Sequence, residues 1–265
     1  MDETRTDRLI TRNHGNRLDI ILNWAERRNA LDYQAWGEIA DAMDMVADDD
    51  SYRVVTLTGT DPAFCAGVEF DTINSSLGVE KARYPSFIRK WSDIADRFER
   101  IAQPTIAAIN GPAVGAGFEV ALACDLRIAS DRAIFAMPQM KMGIIPDVGG
   151  TSRLGRTAGT AFAKDLILTG RVIGAEEAHA RGIVSRVVPH DDLAQELDAM
   201  AQLLTTLPWP SAYFAMVAID TGQYLDSRRA ADLEGIVDQV MLRTDDVWDR
   251  IDAFRSSKGL KGYRG

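Results

Sequence analysis

Between Pro104 and Asp125 the chain reads PTIAAINGPAVGAGFEVALACD, an apolar run of strand type that empties into a glycine-rich turn and passes directly into a helical pattern. A strand feeding a helix through so short a turn calls for layered α/β packing, and it aims backbone N–H groups at whatever sits in the turn. Gly115 and Gly117 allow close approach and unusual dihedrals there. The helix that follows points its unpaired N–H groups and positive dipole end back at the same place, which suits an anion or a developing oxyanion. Glu119 falls in the first helical turn and is a candidate acid or base. The plain alternative is a first-turn acid that stabilises the helix by up to about 1 kcal/mol.

The rest of the chain repeats strand and helix units. Leu9 to Arg12 and Arg17 to Asn23 flank Asn13-His14-Gly15-Asn16, the composition of a hairpin turn. Tyr33, Trp36, Ala40, Met43 and Ala47 recur at helical spacing, and Asp48-Asp49-Asp50 closes that helix. Val54 to Thr58 reads as a buried strand ending in Gly59, while Phe87, Trp91, Ile94, Phe98 and Ile101 predict an amphipathic helix stopping before Pro104. Leu126 to Ala129 and Ala133 to Ala136 are short strands, Thr151 to Leu168 and Ala175 to Ala180 helices, and Ile183 to Val188 a last strand. From Asp191 on the pattern is helical, broken at Pro208-Trp209-Pro210. The expected fold is α/β over residues 1–190 with a helical region over 191–265.

Composition narrows the function. At 265 residues, 46% hydrophobic and 26% charged, the chain has the balance of a soluble globular protein with a full core. A net charge of −9 argues against nucleic acid as a partner and leaves room for a local basic pocket that takes an anionic small molecule. The first thirty residues hold acids and no apolar core of a signal peptide, and no run is long enough to span a membrane, so a cytoplasmic location is expected. Cys65 and Cys124 lack metal-ligand spacing and sit in apolar segments, as reduced core thiols do, and no metal site is expected. His14, His179 and His190 are expected at solvated surface positions.

Two further loops carry polar chemistry. In Asp61 to Asp71 the chain leaves a buried strand and turns at Gly67, so the N–H of Val68 is a second candidate donor, although a bare strand exit reads the same way. In Gly143 to Thr151 an acid, Asp147, stands among apolar residues and glycines before a helix. Asp is a common N-cap, but apolar neighbours raise a carboxyl towards a working value.

Taken in order, these segments resemble the crotonase superfamily, the enoyl-CoA hydratase/isomerase fold. The resemblance runs through Arg28-Asn29-Ala30-Leu31, Leu57-Thr58-Gly59 and Ala63-Phe64-Cys65-Ala66-Gly67. It continues in Ile109-Asn110-Gly111, Gly115-Ala116-Gly117, Ala123-Cys124-Asp125, Gly143-Ile144-Ile145-Pro146 and Gly149-Gly150-Thr151. Leu168-Thr169-Gly170, Ala178 and Gly182-Ile183-Val184 complete it. The resemblance implies a spiral of ββα turns with a C-terminal helical trimerisation region, assembled as trimers or dimers of trimers, that binds acyl-CoA thioesters and needs no cofactor beyond the substrate's own coenzyme A. It places the thioester oxygen on the N–H groups of Val68 and Ala116, beside Ala66, Gly67 and Gly115. It sets Arg28 near the CoA phosphates or adenosine, and Phe254 and Lys258 in a tail that closes over CoA.

The resemblance also poses the choice of reaction. Hydratases of this family hold water between two glutamates; the first aligns with Glu119, but the second falls at Gln139, and an amide positions water without exchanging a proton as an acid or base. Asp147 stands where isomerase branches of the family carry their proton-handling aspartate. The expected activity is therefore enoyl-CoA isomerisation, with hydration as the close alternative and thioester hydrolysis, dehalogenation-like chemistry or acyl-CoA binding alone as lesser ones. Phe87, Trp91 and Met142 are read as pocket lining or plain core. The loop Thr72 to Arg83, with Leu77 its largest aliphatic, suggests mobility rather than a limit on acyl length.

Overall fold

The computed structural model describes residues 2–72 and 84–256. The expected hairpin gains a strand at its edge, so that β1 (Asp2–Arg5), β2 (Leu9–Asn13) and β3 (Arg17–Leu22) run antiparallel. β1 is polar and exposed along its length, which leaves no alternation to read in the sequence. Helix α1 (Tyr33–Ala47) starts on Asp32, whose carboxylate accepts the Ala35 N–H at 2.9 Å, and it buries Trp36, Ile39, Met43 and Val46 along one stripe. β4 (Val54–Gly59) pairs parallel with β3, and α2 (Tyr84–Arg100) packs on α1, Trp91 stacking on Trp36 with ring centroids 5.9 Å apart.

β5 (Thr105–Ile109), the two-residue β6 (Ala113–Val114) and α3 (Ala116–Ala123) form the strand-turn-helix. β7 (Leu126–Ser130) and β8 (Ile134–Ala136) follow. The segment expected as one helix is two, α4 (Gly150–Ala158) and α5 (Thr160–Thr169), because Gly159 takes a φ of 85° between them. β9 (Val172–Gly174), α6 (Ala175–Ala180), β10 (Arg186–Val188) and α7 (Leu193–Thr205) complete the larger unit; Ile183 and Val184, expected in the last strand, precede it as buried coil.

The main sheet has the order β1-β2-β3-β4-β5-β7-β10 and is parallel from β3 onward; β6, β8 and β9 form a second, three-stranded sheet. Both faces of the parallel strands are buried, as crossover topology requires. On one face Val55, Leu57, Ala107, Ile109 and Ala129 join the large core shared with α1, α2 and α3. On the other, Val54, Ile106, Ala108 and Ile128 pack against Leu193, Leu197, Met200 and Ala201 of α7.

That second layer moves the boundary read from the sequence. The chain divides into compact units Met1–Thr205 and Thr206–Gly265, so α7 belongs to the sheet rather than to the helical tail. Its apolar stripe is a docking face for the strands, which a helical period alone does not reveal. The second unit holds α8 (Trp209–Gly222), α9 (Ser227–Met241) and α10 (Asp245–Ser256), with Asp226 capping α9 through the N–H groups of Arg228 and Arg229. Among the described residues no helix is long and apolar enough to cross a membrane.

Candidate active site

The site gathers at the exits of β4 and β5. The two exit segments lie side by side: the Cys65 N–H donates to the Pro112 carbonyl at 3.0 Å and the Val114 N–H to the Cys65 carbonyl at 2.9 Å. A second bridge ties Leu31 to the same loop, through Leu31 N–H to the Gly67 carbonyl and Glu69 N–H to the Leu31 carbonyl. Gly67 takes a φ of 98°, and a Cβ there would stand 2.8 Å from the Val114 carbonyl oxygen. At Gly117 a Cβ would stand 2.5 Å from the Cys65 carbonyl oxygen and 2.7 Å from its Sγ, so α3 approaches the first loop only because no side chain intervenes. Among the described residues, neither the Val68 N–H nor the Ala116 N–H donates to a protein acceptor. Two unengaged donors on adjoining loops can hold an oxyanion.

Glu119 is buried, with 1% of its surface exposed. Its Oε1 accepts the N–H groups of Val148 and Gly150, both at 2.9 Å, and its Oε2 accepts Nε2 of Gln139 at 2.9 Å. Burial pushes its carboxyl up to about 7; the Gly150 N–H opposes that push and the charge of Asp147 adds to it. Glycine is needed at 150, since a Cβ there would lie 2.7 Å from Glu119 Cγ. Gln139 is itself buried, and its Oε1 has no hydrogen-bond partner among the described residues.

Asp147 is half-buried, and burial raises its carboxyl above the ordinary value against the pull of its own N–H. It is not the cap of α4, because that position is held by Gly149 with a φ of 89°. The carboxylate is therefore free of the plain role that the sequence allowed it. The structure brings Asp147 near enough to Glu119 for its charge to act on that carboxyl, and the residue next to it, Val148, donates its N–H to Glu119.

Arg153, which sequence reasoning passed over, holds this loop from behind. Its guanidinium donates to the Val148 carbonyl at 2.7 Å and to Glu99 of α2 at 2.8 Å, and it also pairs with Asp96. A Cβ at Gly149 would lie 2.1 Å from Nη1, so the paired glycines at 149 and 150 leave room for one guanidinium and one carboxylate. That pair of glycines was the available signal.

The remaining expected contacts scatter. Arg28 is exposed, with a left-handed φ of 52°, and its carbonyl accepts the Ala66 N–H at 2.9 Å; among the described residues no carboxylate pairs with its guanidinium. Asn29 beside it is buried and clamps the β4 exit through Nδ2 to the carbonyls of Thr60 and Ala63, both at 2.7 Å. Trp91 is core and Met142 is exposed; Lys258, residues 73–83 and the Phe87 side chain lie outside the described residues. Phe254 is 51% exposed on α10 of the second unit. Cys65 and Cys124 are buried with thiols pushed up to about 12, as the core reading expects. His14 and His179 are exposed, as the surface reading expects, although His14 pairs with Asp19 and His179 Nδ1 lies 3.1 Å from the Val184 carbonyl; His190 departs from that reading, half-buried and held at the sheet exits.

Comparison with known proteins agrees with this fold. A model described as enoyl-CoA hydratase/isomerase matches residues 14–254, and the chain belongs to that family, within the crotonase superfamily. A probable enoyl-CoA hydratase of Mycobacterium tuberculosis is 39% identical over 201 residues, covering 76% of each chain. Among solved structures, an enoyl-CoA hydratase from Bacillus anthracis superposes with a TM-score of 0.87 at 31% identity, covering 94% of this chain and 96% of its own. An enoyl-CoA hydratase/isomerase from Cupriavidus metallidurans superposes with a TM-score of 0.90 at 28% identity, covering 96% and 95%. The chain is therefore an enzyme of the hydratase/isomerase family.

The raised Glu119 carboxyl has a consequence for stability with a definite sign. A folded value above the ordinary 4.5 means that the native state holds the proton more tightly, so the group stabilises fully below about 4.5 and that contribution is lost as pH rises through about 7. Relative to Glu119→Gln, wild type should lose on the order of 3 kcal/mol of unfolding free energy across that window. Denaturant titrations of both proteins at stepped pH measure this, and a difference independent of pH would contradict it.

Proposed function

We propose that this protein binds an acyl-CoA thioester and shifts a carbon–carbon double bond within the acyl chain. The thioester oxygen rests on the N–H groups of Val68 and Ala116, framed by Ala66, Gly67 and Gly115. The carboxylate of Asp147 takes a proton from the carbon next to the double bond, the electrons spread into a dienolate whose oxygen the two donors hold, and the same carboxyl returns a proton at the far carbon. Glu119 is its partner and orients the substrate with Gln139. Arg28 meets the CoA phosphates or adenosine, Phe254 and Lys258 close over CoA, and no cofactor takes part beyond the substrate's coenzyme A.

The observation that carries this reading is the unequal engagement of the two carboxylates. Glu119 accepts three protein hydrogen bonds, one from an amide at the position where two-glutamate hydration needs a second acid. Among the described residues Asp147 accepts none but its own N–H, and its raised carboxyl suits proton exchange. Hydration is the second reading, favoured by the names of the relatives and by the orphaned Gln139 Oε1, which can accept a hydrogen bond from a water. Incubation with 2-enoyl- and 3-enoyl-CoA in heavy-oxygen water separates the two. Positional isomers without label are expected; label entering as fast as the double bond moves would establish hydration instead.

We further infer assembly as a homotrimer or dimer of trimers. The second unit leaves Ile219, Tyr224, Ile236 and Trp248 more than half exposed, apolar surface of the kind that subunit contacts cover. Light scattering of the purified chain tests this, and a monomer would refute it.

A further inference from the structure

We propose that His190 is a positioning residue for the thioester-oxygen site, its Nδ1–H holding the Asn110 carbonyl and, through that strand exit, the turn that presents the Ala116 N–H. The inference rests on the reading of Val68 and Ala116 as the donors to the thioester oxygen.

His190 stands on the short turn that follows β10, where four parallel strands end. Its Nδ1 lies 3.1 Å from the Asn110 carbonyl oxygen beyond β5 and 3.1 Å from Ser130 Oγ at the end of β7. Its Nε2 lies 3.2 Å from Asp61 Oδ2 beyond β4. The backbone N–H of His190 donates to Asp131 at 3.0 Å, which fixes the ring's origin. A carbonyl oxygen only accepts, so the contact with Asn110 needs the proton on Nδ1.

From this ring a continuous strip of contacts leads to the proposed donors. Asn110 Nδ2 donates to Asp61 at 2.9 Å and to the Ala63 carbonyl at 3.3 Å, and Asn110 Oδ1 accepts the Gly59 N–H at 3.3 Å. At Gly111 a Cβ would stand 2.5 Å from the Pro62 carbonyl oxygen, so the two exits touch. The ladder between Cys65 and residues 112–114 then carries the alignment forward to Val68 and Ala116. A catalytic donor pair tolerates little displacement, and a shift of about 1 Å costs as much as a hundredfold in rate.

Of the three ring contacts, those with Asp61 and Asn110 are unequal. The Asp61 side chain is 64% exposed, so its bond to Nε2 competes with water, whereas the contact with Asn110 is partly buried. The order Ser130, His190, Asp61 imitates a nucleophile relay, but Ser130 is fully buried and its Oγ accepts the Arg132 N–H, so the geometry serves a clamp rather than an attack.

The test compares His190→Ala, His190→Asn and His190→Gln, since an Asn amide stands near the place of Nδ1 and a Gln amide near that of Nε2. Two readouts are used: turnover of 3-hexenoyl-CoA, and the red shift of the cinnamoyl-CoA chromophore on binding, which reports polarisation of the thioester carbonyl. His190→Ala and His190→Gln should lose about tenfold in kcat with KM changed less than about threefold, and both should lose most of the red shift. His190→Asn should recover both readouts. A His190→Ala protein that keeps the shift and turns over within twofold of wild type overturns the inference, as does an Asn variant no better than Gln. If His190→Ala fails to fold, the Asn and Gln pair still decides. A wild-type complex without any red shift removes the thioester-oxygen reading itself, an outcome distinct from a shift that is present and indifferent to His190.

Discussion

Asp147→Asn should lower isomerisation of a 3-enoyl-CoA by about 10²–10⁴-fold, the usual contribution of a positioned acid or base, while acyl-CoA affinity stays within a few fold of wild type. The asparagine keeps the shape and the local hydrogen-bonding reach and loses only the ability to exchange a proton. Folding should be unaffected, because Asp147 does not cap α4 and among the described residues accepts no bond beyond its own N–H. Steady-state kinetics combined with calorimetric binding of a non-reacting acyl-CoA measures both halves of the expectation. Unchanged turnover would move proton handling to Glu119, whose carboxyl near 7 is also poised for it.

Arg153→Met should cost about 3 kcal/mol of stability, seen as a Tm lower by roughly 6–12 °C. The guanidinium is 3% exposed and its charge is met by Glu99 and Asp96, so its removal takes away a buried cation that three elements share. The two carboxylates left behind keep partial access to water, which holds the cost at the lower end for a broken buried pair. Arg153→Lys should recover only part of the loss, because a single ammonium cannot reach Glu99, Asp96 and the Val148 carbonyl together. Turnover should fall as well, since the same carbonyl anchors the residue beside Asp147. A thermal melt within 2 °C of wild type would show that the network is replaceable by packing.

The parts of the fold that were legible in the sequence are those with a period or a punctuation mark. α1 and α2 carry apolar stripes at helical spacing, and the strands VVTLTG and TIAAI are fully buried or nearly so and bounded by Gly59 and Pro104. Of the second sheet only β8 was legible, as the short strand Ala133 to Ala136; β6 and β9 hold two and three residues, and no alternation can be seen over so few. The break at Gly159 was missed because one glycine inside a helical pattern is tolerated, and only its positive φ shows that it ends a helix here. At the site the carboxylates and glycines could be read because each has a local reason to be where it is. Arg153 and His190 could not, because their partners, at Asp96, Glu99 and Asn110, lie more than fifty residues away and the contacts exist only once the sheet has formed.

Of the positions around Glu119, 139 and 150 are locked by packing and hydrogen bonds, whereas among the described residues the side chain at 147 accepts no bond beyond its own N–H. The scaffold thus offers one socket in which a residue can be exchanged without renegotiating the architecture, and mutational drift there is screened by chemistry alone. At 147, selection on what the protein does comes apart from selection on whether it folds, even though the glycines held by packing at 149 and 150 are its neighbours along the chain.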